Sequence, residues 1–177
     1  MAGLERDTIG GFNAFLDMQN RMEGETYLTT VLFDDMYEML WNGVDAKQVK
    51  LTENEYYVRG CTALLDAMGK TILAVGRRIS DAAAEKKPDH VIFVITTDGM
   101  ENASKEFTHA KVKELIRYQQ EKYGWDFIFM GANMDSVKEA DSIGIQTDHA
   151  FNYDTTKEGV GVMYETVSGL VSASRMK

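Results

Sequence analysis

Two short segments carry the residue types best suited to holding a ligand. Thr97-Asp98-Gly99 ends a run of apolar and β-branched residues, and Arg59-Gly60-Cys61-Thr62 stands directly before a long amphipathic stretch. In an open α/β sheet, ligands gather beyond the carboxyl ends of the strands, and the order of elements places both segments there. A carboxylate and a hydroxyl are hard oxygen donors, suited to Mg²⁺ or Ca²⁺ and poor for soft metals. Asp98 could bind such an ion directly or through water, and Thr62 could bind through its hydroxyl. Plainer roles compete for both. Thr62 reads more simply as the cap of a helix starting at Ala63, and Asp98-Gly99 more simply as a turn in which Asp98 accepts backbone hydrogen bonds. Asp34 ends another strand and reads as a hairpin residue.

The remaining reactive types form no recognisable set. His90, His109 and His149 lack the short paired spacing of a zinc helix and read as surface or packing residues. No glycine-rich phosphate loop of either standard pattern is present. Cys61 stands beside Arg59 near a helix start, a setting that can lower a thiol pKa, but no histidine partner is set by the sequence and a small buried cysteine is the simpler reading. Asp34, Asp98 and Glu101 offer carboxylates whose separation nothing in the sequence fixes, so acid/base chemistry has no defined pair. Met18, Met22, Met68 and Met163 fall on or near helical apolar stripes and read as core.

The chain of 177 residues has the length of one domain, 1–177, and 44% apolar residues are enough for a core without metal or disulfide staples. Nineteen Lys and Arg against 28 Asp and Glu give a net charge of −9, which argues against nucleic acid and, less strongly, against anionic membranes. The single cysteine excludes an intrachain disulfide and a thiolate zinc cluster. No stretch approaches the roughly 20 apolar residues of a membrane-spanning helix. Met1 to Asp7 lacks a basic-then-apolar export signal, so the expected location is cytoplasmic.

Short apolar runs alternate with amphipathic stretches, the pattern of a layered α/β domain. A helix is expected from Asp7 or Thr8 to Met22, with Gly10 and Gly11 weakening its first turn or allowing something to approach closely. Strands are expected at Tyr27–Phe33 and Tyr37–Trp41 around an Asp34-Asp35 turn. Thr52 and Glu55 can form a capping box, with Leu51 and Tyr56 as its staple, and so open a helix. Leu65, Met68, Ile72, Val75 and Ile79 mark the clearest helix, between about Ala63 and Ala84. His90–Thr97 reads as an interior parallel strand covered on both faces. A helix over Thr108–Tyr123 follows, with Val112, Leu115 and Ile116 inward. Then come a strand over Trp125–Met130, a helix over Asn133–Ile143 with Gly144 at C′, and a short strand over His149–Asn152. The last helix is capped by Thr155 and Glu158 and carries the line Val160, Met163, Val167 and Leu170.

The segments Arg59-Gly60-Cys61-Thr62-Ala63-Leu64-Leu65-Asp66-Ala67 and Ile95-Thr96-Thr97-Asp98-Gly99-Met100-Glu101-Asn102 resemble von Willebrand factor type A domains of the bacterial and phage kind. The opening Gly3-Leu4 through Thr8-Ile9-Gly10-Gly11-Phe12-Asn13 is similar to the first helix of that group. The resemblance spans nearly the whole chain. It implies a three-layer Rossmann-like α/β sandwich, mostly parallel with an antiparallel edge strand. It also implies a metal-ion-dependent adhesion site built from three loops, in which Thr62 matches the second-loop threonine and Asp98 the third-loop aspartate.

The first loop of that pattern, Asp-x-Ser-x-Ser, and the central strand before it have no counterpart here. Met1 resembles the methionine that often follows the loop, so a start internal to a longer reading frame, or a truncation, is expected. Strands Tyr27–Phe33 and His90–Thr97 would then close together, be bridged by another chain such as a second copy, or remain apart; closure or bridging is the favoured expectation. The resemblance implies a protein-binding or assembly module whose metal is completed by a partner's carboxylate, with Mg²⁺ possible in a full-length form and weak or absent in this chain. An enzymatic role, as a metal-dependent hydrolase or an accessory subunit of a chelatase or metal-resistance system, is the alternative, and a non-enzymatic module is favoured over it.

Overall fold

A computed structural model describes residues 2–58 and 60–177. Met1 and Arg59, both quoted above for the resemblance, lie outside the described residues. The chain divides into two compact units. The first comprises Met1–Leu32, Tyr37–Gly60 and Tyr153–Lys177, and the second Phe33–Met36 with Cys61–Asn152.

In the first unit, helix α1 (Glu5–Asn20) packs against helix α5 (Lys157–Arg175). The apolar line of α5 is buried at Val160, Met163 and Val167, as its spacing predicts. Its cap is Thr156, one residue beyond the expected Thr155; the Thr156 side chain accepts from Gly159 N. Arg175 closes the far end. Its guanidinium donates to Gln19 O and Gln19 Oε1 at 3.1 and 3.0 Å and to Glu23 O at 3.1 Å, placing a cation on the carbonyls that end α1. The two glycines of α1 differ. Gly10 faces open space, whereas a Cβ on Gly11 would stand 2.2 Å from the Tyr164 ring, so Gly11 is the position of close approach.

Strands β1 (Tyr27–Phe33) and β2 (Tyr37–Asp45) form a two-stranded sheet. Three connecting residues permit only an antiparallel hairpin. The expected helix at Leu51–Tyr56 does not form. Half of its capping box does: Thr52 N donates to Glu55 Oε2 at 2.8 Å and the Thr52 hydroxyl bonds the same oxygen, while Glu55 N and Tyr56 N both reach Thr52 O and the Thr52 hydroxyl accepts from Asn54 N. One turn is made and does not propagate, because nucleation fixes several dihedrals per bond gained and Tyr57, Val58 and Gly60 are poor propagators. Asn13 holds the segment instead, donating to Leu51 O at 2.8 Å and accepting from Leu51 N at 2.9 Å.

The second unit is a parallel sheet with helices. Its strands are β3 (Ile92–Thr97), β4 (Asp126–Gly131) and β5 (Ala150–Asn152), in the order β3-β4-β5. Helices α2 (Leu64–Asp81), α3 (His109–Tyr123) and α4 (Ser136–Ser142) complete it. Leu65, Met68, Ile72 and Val75 of α2 meet Val112 and Ile116 of α3 and Phe127 and Phe129 of β4 in one core, with Ile79 and Leu115 half-buried against it. Gly144 ends α4 as expected: its φ is +83°, its N–H reaches Asp141 O at 3.0 Å, and Ile145 N reaches Ala140 O at 2.9 Å. That helix begins at Ser136 rather than Asn133, capped by Asp135.

Two expectations about the sheet are corrected. Strand β3 is not interior; among the described residues it pairs with β4 alone and forms the edge of its sheet. Its uncharged run follows from burial on one face and half-burial on the other, not from two flanking strands. Closure of β1 onto β3, one of the two favoured arrangements, is not formed among the described residues, where the two strands belong to separate sheets.

Candidate functional site

The three parallel strands end at one level. Thr97 stands opposite Gly131, and Gly131 opposite Asn152. Beyond Thr97 the chain turns sharply. The Thr97 hydroxyl donates to Gly99 O at 2.9 Å, and Asn133 Nδ2 donates to Asp98 O at 3.1 Å. Asn133 does so from a left-handed backbone, φ 59°, that asparagine tolerates better than most residues. Asp98 thus leaves the sheet edge on a turn braced from the next strand, at the carboxyl-end rim where the sequence places it.

Thr62 reaches the same rim from the other side. Its Oγ1 lies 3.0 Å from where a Cβ on Gly99 would stand, so the hydroxyl is set against the backbone of the Asp98-Gly99 turn. The capping reading of Thr62 does not hold. Ala63 is the N-cap of α2 and makes no side-chain cap. The orphan N–H groups of the first turn, which need partners wherever a helix starts, are satisfied from the loop after β3. Leu65 N donates to Glu101 Oε2 at 2.9 Å, and Asp66 N to the Ser104 hydroxyl at 3.0 Å.

The bonding runs in both directions. The Asp66 carboxylate accepts from Lys105 N, Glu106 N and Phe107 N at 2.8, 2.9 and 2.8 Å. Thr62 and Asn102 exchange a pair: Thr62 N donates to Asn102 Oδ1 at 2.9 Å, and Asn102 N to Thr62 O at 3.0 Å. Farther down α2 the Phe107 ring covers Gly69, where a Cβ would come within 2.3 Å of it. Asp34 joins from the hairpin turn. It is buried, its Oδ1 accepts from Met36 N at 2.6 Å, and its carbonyl accepts from Ala63 N at 2.8 Å.

These bonds fix the electrostatics of two carboxylates. Partial burial pushes Glu101 up, but backbone N–H donors at Leu65, Ser104 and Ala103 and the Ser104 hydroxyl outweigh it and hold the group below the usual carboxylate range. Burial likewise pushes Asp66 up, and the N–H groups of residues 105–107, with Lys70 nearby, bring it below its ordinary value. Glu101 and Asp66 are therefore engaged in holding backbone.

The donor set tests the expected cation. Mg²⁺ takes near-octahedral oxygen coordination and keeps several waters. Thr62 and Asp98 are hard oxygens of the right kind, but among the described residues no group of three or more His, Cys, Asp or Glu side chains is placed to hold a metal. Of the histidines, His109 places its Nε2 3.2 Å from Glu139 Oε1. Cys61, read from sequence as buried, is exposed, because it lies in the irregular segment before α2 rather than on the helix's inner face. Met68 and Met163 are core, whereas Met18 is half exposed.

No family model matches the chain, and no curated protein matches it. Among solved structures it is similar to proximal thread matrix protein 1 (PTMP1) from the mussel byssus. One crystal form gives a TM-score of 0.63 at 16% identity over 97% of this chain. A second structure, described as having a zinc occupied MIDAS motif, gives 0.64 at 13% identity over 94%. The chain spans less than half of PTMP1, 42% and 43% of the chain in those two structures. With parallel and antiparallel strands flanked by helices, the fold is of the von Willebrand factor A-like, three-layer α/β class. No helix among the described residues is long and apolar enough to cross a membrane.

Proposed function

We propose that residues 1–177 are one von Willebrand factor A-like module that binds a protein partner through the rim carrying Thr62 and Asp98. The observation that carries this reading is the placement of the Thr62 hydroxyl against the Asp98-Gly99 turn at the carboxyl end of β3. In this reading Thr62 and Asp98 are what remains of a metal-ion-dependent adhesion site, with too few donors for firm Mg²⁺ binding unless a partner's carboxylate completes the shell. The structure of PTMP1 with a metal-occupied motif supports the derivation by fold alone.

Among the described residues β3 pairs on one side only, and this extends the proposal. An unpaired edge without charge or proline accepts an added strand readily, and Ile92–Thr97 contains neither. A strand from another chain, a second copy included, would cover it. The net charge leaves nucleic acid out of this reading, and one cysteine fits a cytoplasmic location.

Two measurements test it. Calorimetric titration with Mg²⁺ is expected to give weak or no heat of binding, and a tight one-to-one site would overturn the incomplete-site reading. A photo-crosslinking side chain in place of exposed Met100, beside the rim, is expected to give a discrete protein adduct in cells. That adduct should be lost in Thr62→Ala and Asp98→Ala; an adduct unchanged in both would reject the rim as the contact face. Sedimentation across a concentration series separates a second copy from a different chain on β3.

A further inference from the structure

We infer that Glu101 and Asp66 form a two-way clasp that positions Thr62 and Asp98, acting on the rim without touching a ligand themselves; this rests on the reading of that rim as the site. Residues 98–107 contain neither helix nor strand, and a connection of that kind ordinarily opens at low cost. Here it is tied along α2. Thr62 and Asn102 exchange backbone and side-chain bonds at the rim end. One turn deeper, the Glu101 carboxylate takes Leu65 N of the helix together with Ala103 N and Ser104 N of its own loop, at 2.9, 3.0 and 2.6 Å. The Asp66 carboxylate returns from the helix to three successive loop N–H groups. The Ser104 hydroxyl links the halves, donating to Glu101 Oε2 at 2.8 Å while accepting from Asp66 N. Phe107 on Gly69 anchors the far end.

Each carboxylate therefore secures the segment to which it does not belong. The segment holding Asp98 cannot move away from the one holding Thr62 without exchanging charge-assisted hydrogen bonds for bonds to water, and charge-assisted bonds are stronger than neutral ones. Glu106 differs in kind: its exposed carboxylate also reaches α2, at Lys70 Nζ across 3.0 Å, but as a surface ion pair, which contributes little.

Amide hydrogen exchange on the ¹⁵N-labelled full chain, read by NMR, tests the clasp. Glu101→Gln and Asp66→Asn are each expected to speed exchange about tenfold or more at Thr62 and Asn102, whose amides neither carboxylate contacts. Strand β4 should be unchanged, and Glu106→Gln should change neither region. Faster exchange confined to the directly bonded amides, or an equal rise throughout β4, would overturn the inference. Ser104→Ala, which removes the linking hydroxyl and keeps both charges, should give the same pattern in weaker form, and it decides the matter if either carboxylate variant does not fold. The exchange pattern is independent of any ligand, so failure of wild-type protein to bind cation or partner would count against the site and not against the clasp.

Discussion

Leu65 gives its backbone N–H to the Glu101 carboxylate across 2.9 Å, although 36 residues separate them in the chain. A helix start that ordinarily draws its cap from the preceding residue draws it here from the loop after the neighbouring strand. Helix α2 and the Asp98 turn are consequently one unit of structure.

Replacing Glu101 with Gln removes the charge and should cost about 1–2 kcal/mol of stability, measured by urea unfolding at neutral pH. The pH dependence has a defined sign. Both Glu101 and Asp66 titrate below their ordinary values when folded. Their contribution is complete above the usual carboxylate range and is lost as pH falls through the lowered values. The gap between wild type and Glu101→Gln should therefore be widest near neutrality and close in acid.

Thr62→Ala should leave stability within about 0.5 kcal/mol of wild type, because Ala63 rather than Thr62 is the N-cap of α2. A loss of about 1 kcal/mol, the usual consequence of removing a cap, would restore the capping role. The same denaturant series decides it.

Adjacent glycines in α1 should respond with opposite signs. Gly10→Ala enters open space and should stabilise by up to about 1 kcal/mol through helix propensity. Gly11→Ala must displace the Tyr164 ring and should destabilise by about 1–3 kcal/mol. Thermal unfolding of the two variants checks both.

Cys61 is exposed, so one equivalent of thiol should react with Ellman's reagent in the native protein without denaturant. Reaction only after unfolding would contradict its placement.

Periodicity alone located the helices with strong apolar lines, α2, α3 and α5, and the inward residues Met68, Ile72, Val112, Ile116, Val160 and Met163, because a 3.6-residue repeat needs no partner to be read. Gly144 was equally legible, since a left-handed C′ position selects glycine locally. Thr62 and Asp98 were recognisable as site candidates from residue type and from their resemblance to a known pattern. The tertiary structure decided what depended on distant neighbours. The Glu55 half of the capping box at Thr52 formed but gained no helix, because the residues that follow propagate one poorly, and Asn13 held Leu51 instead. Strand β3, apolar enough for an interior, lay at an edge, since composition reports burial and not which strand stands alongside. The clasp of Glu101, Asn102, Ser104 and Asp66 left only a faint trace, polar turn-forming residues after Asp98-Gly99, because a hydrogen bond across some 40 positions is fixed by packing and leaves no spacing in the chain to read.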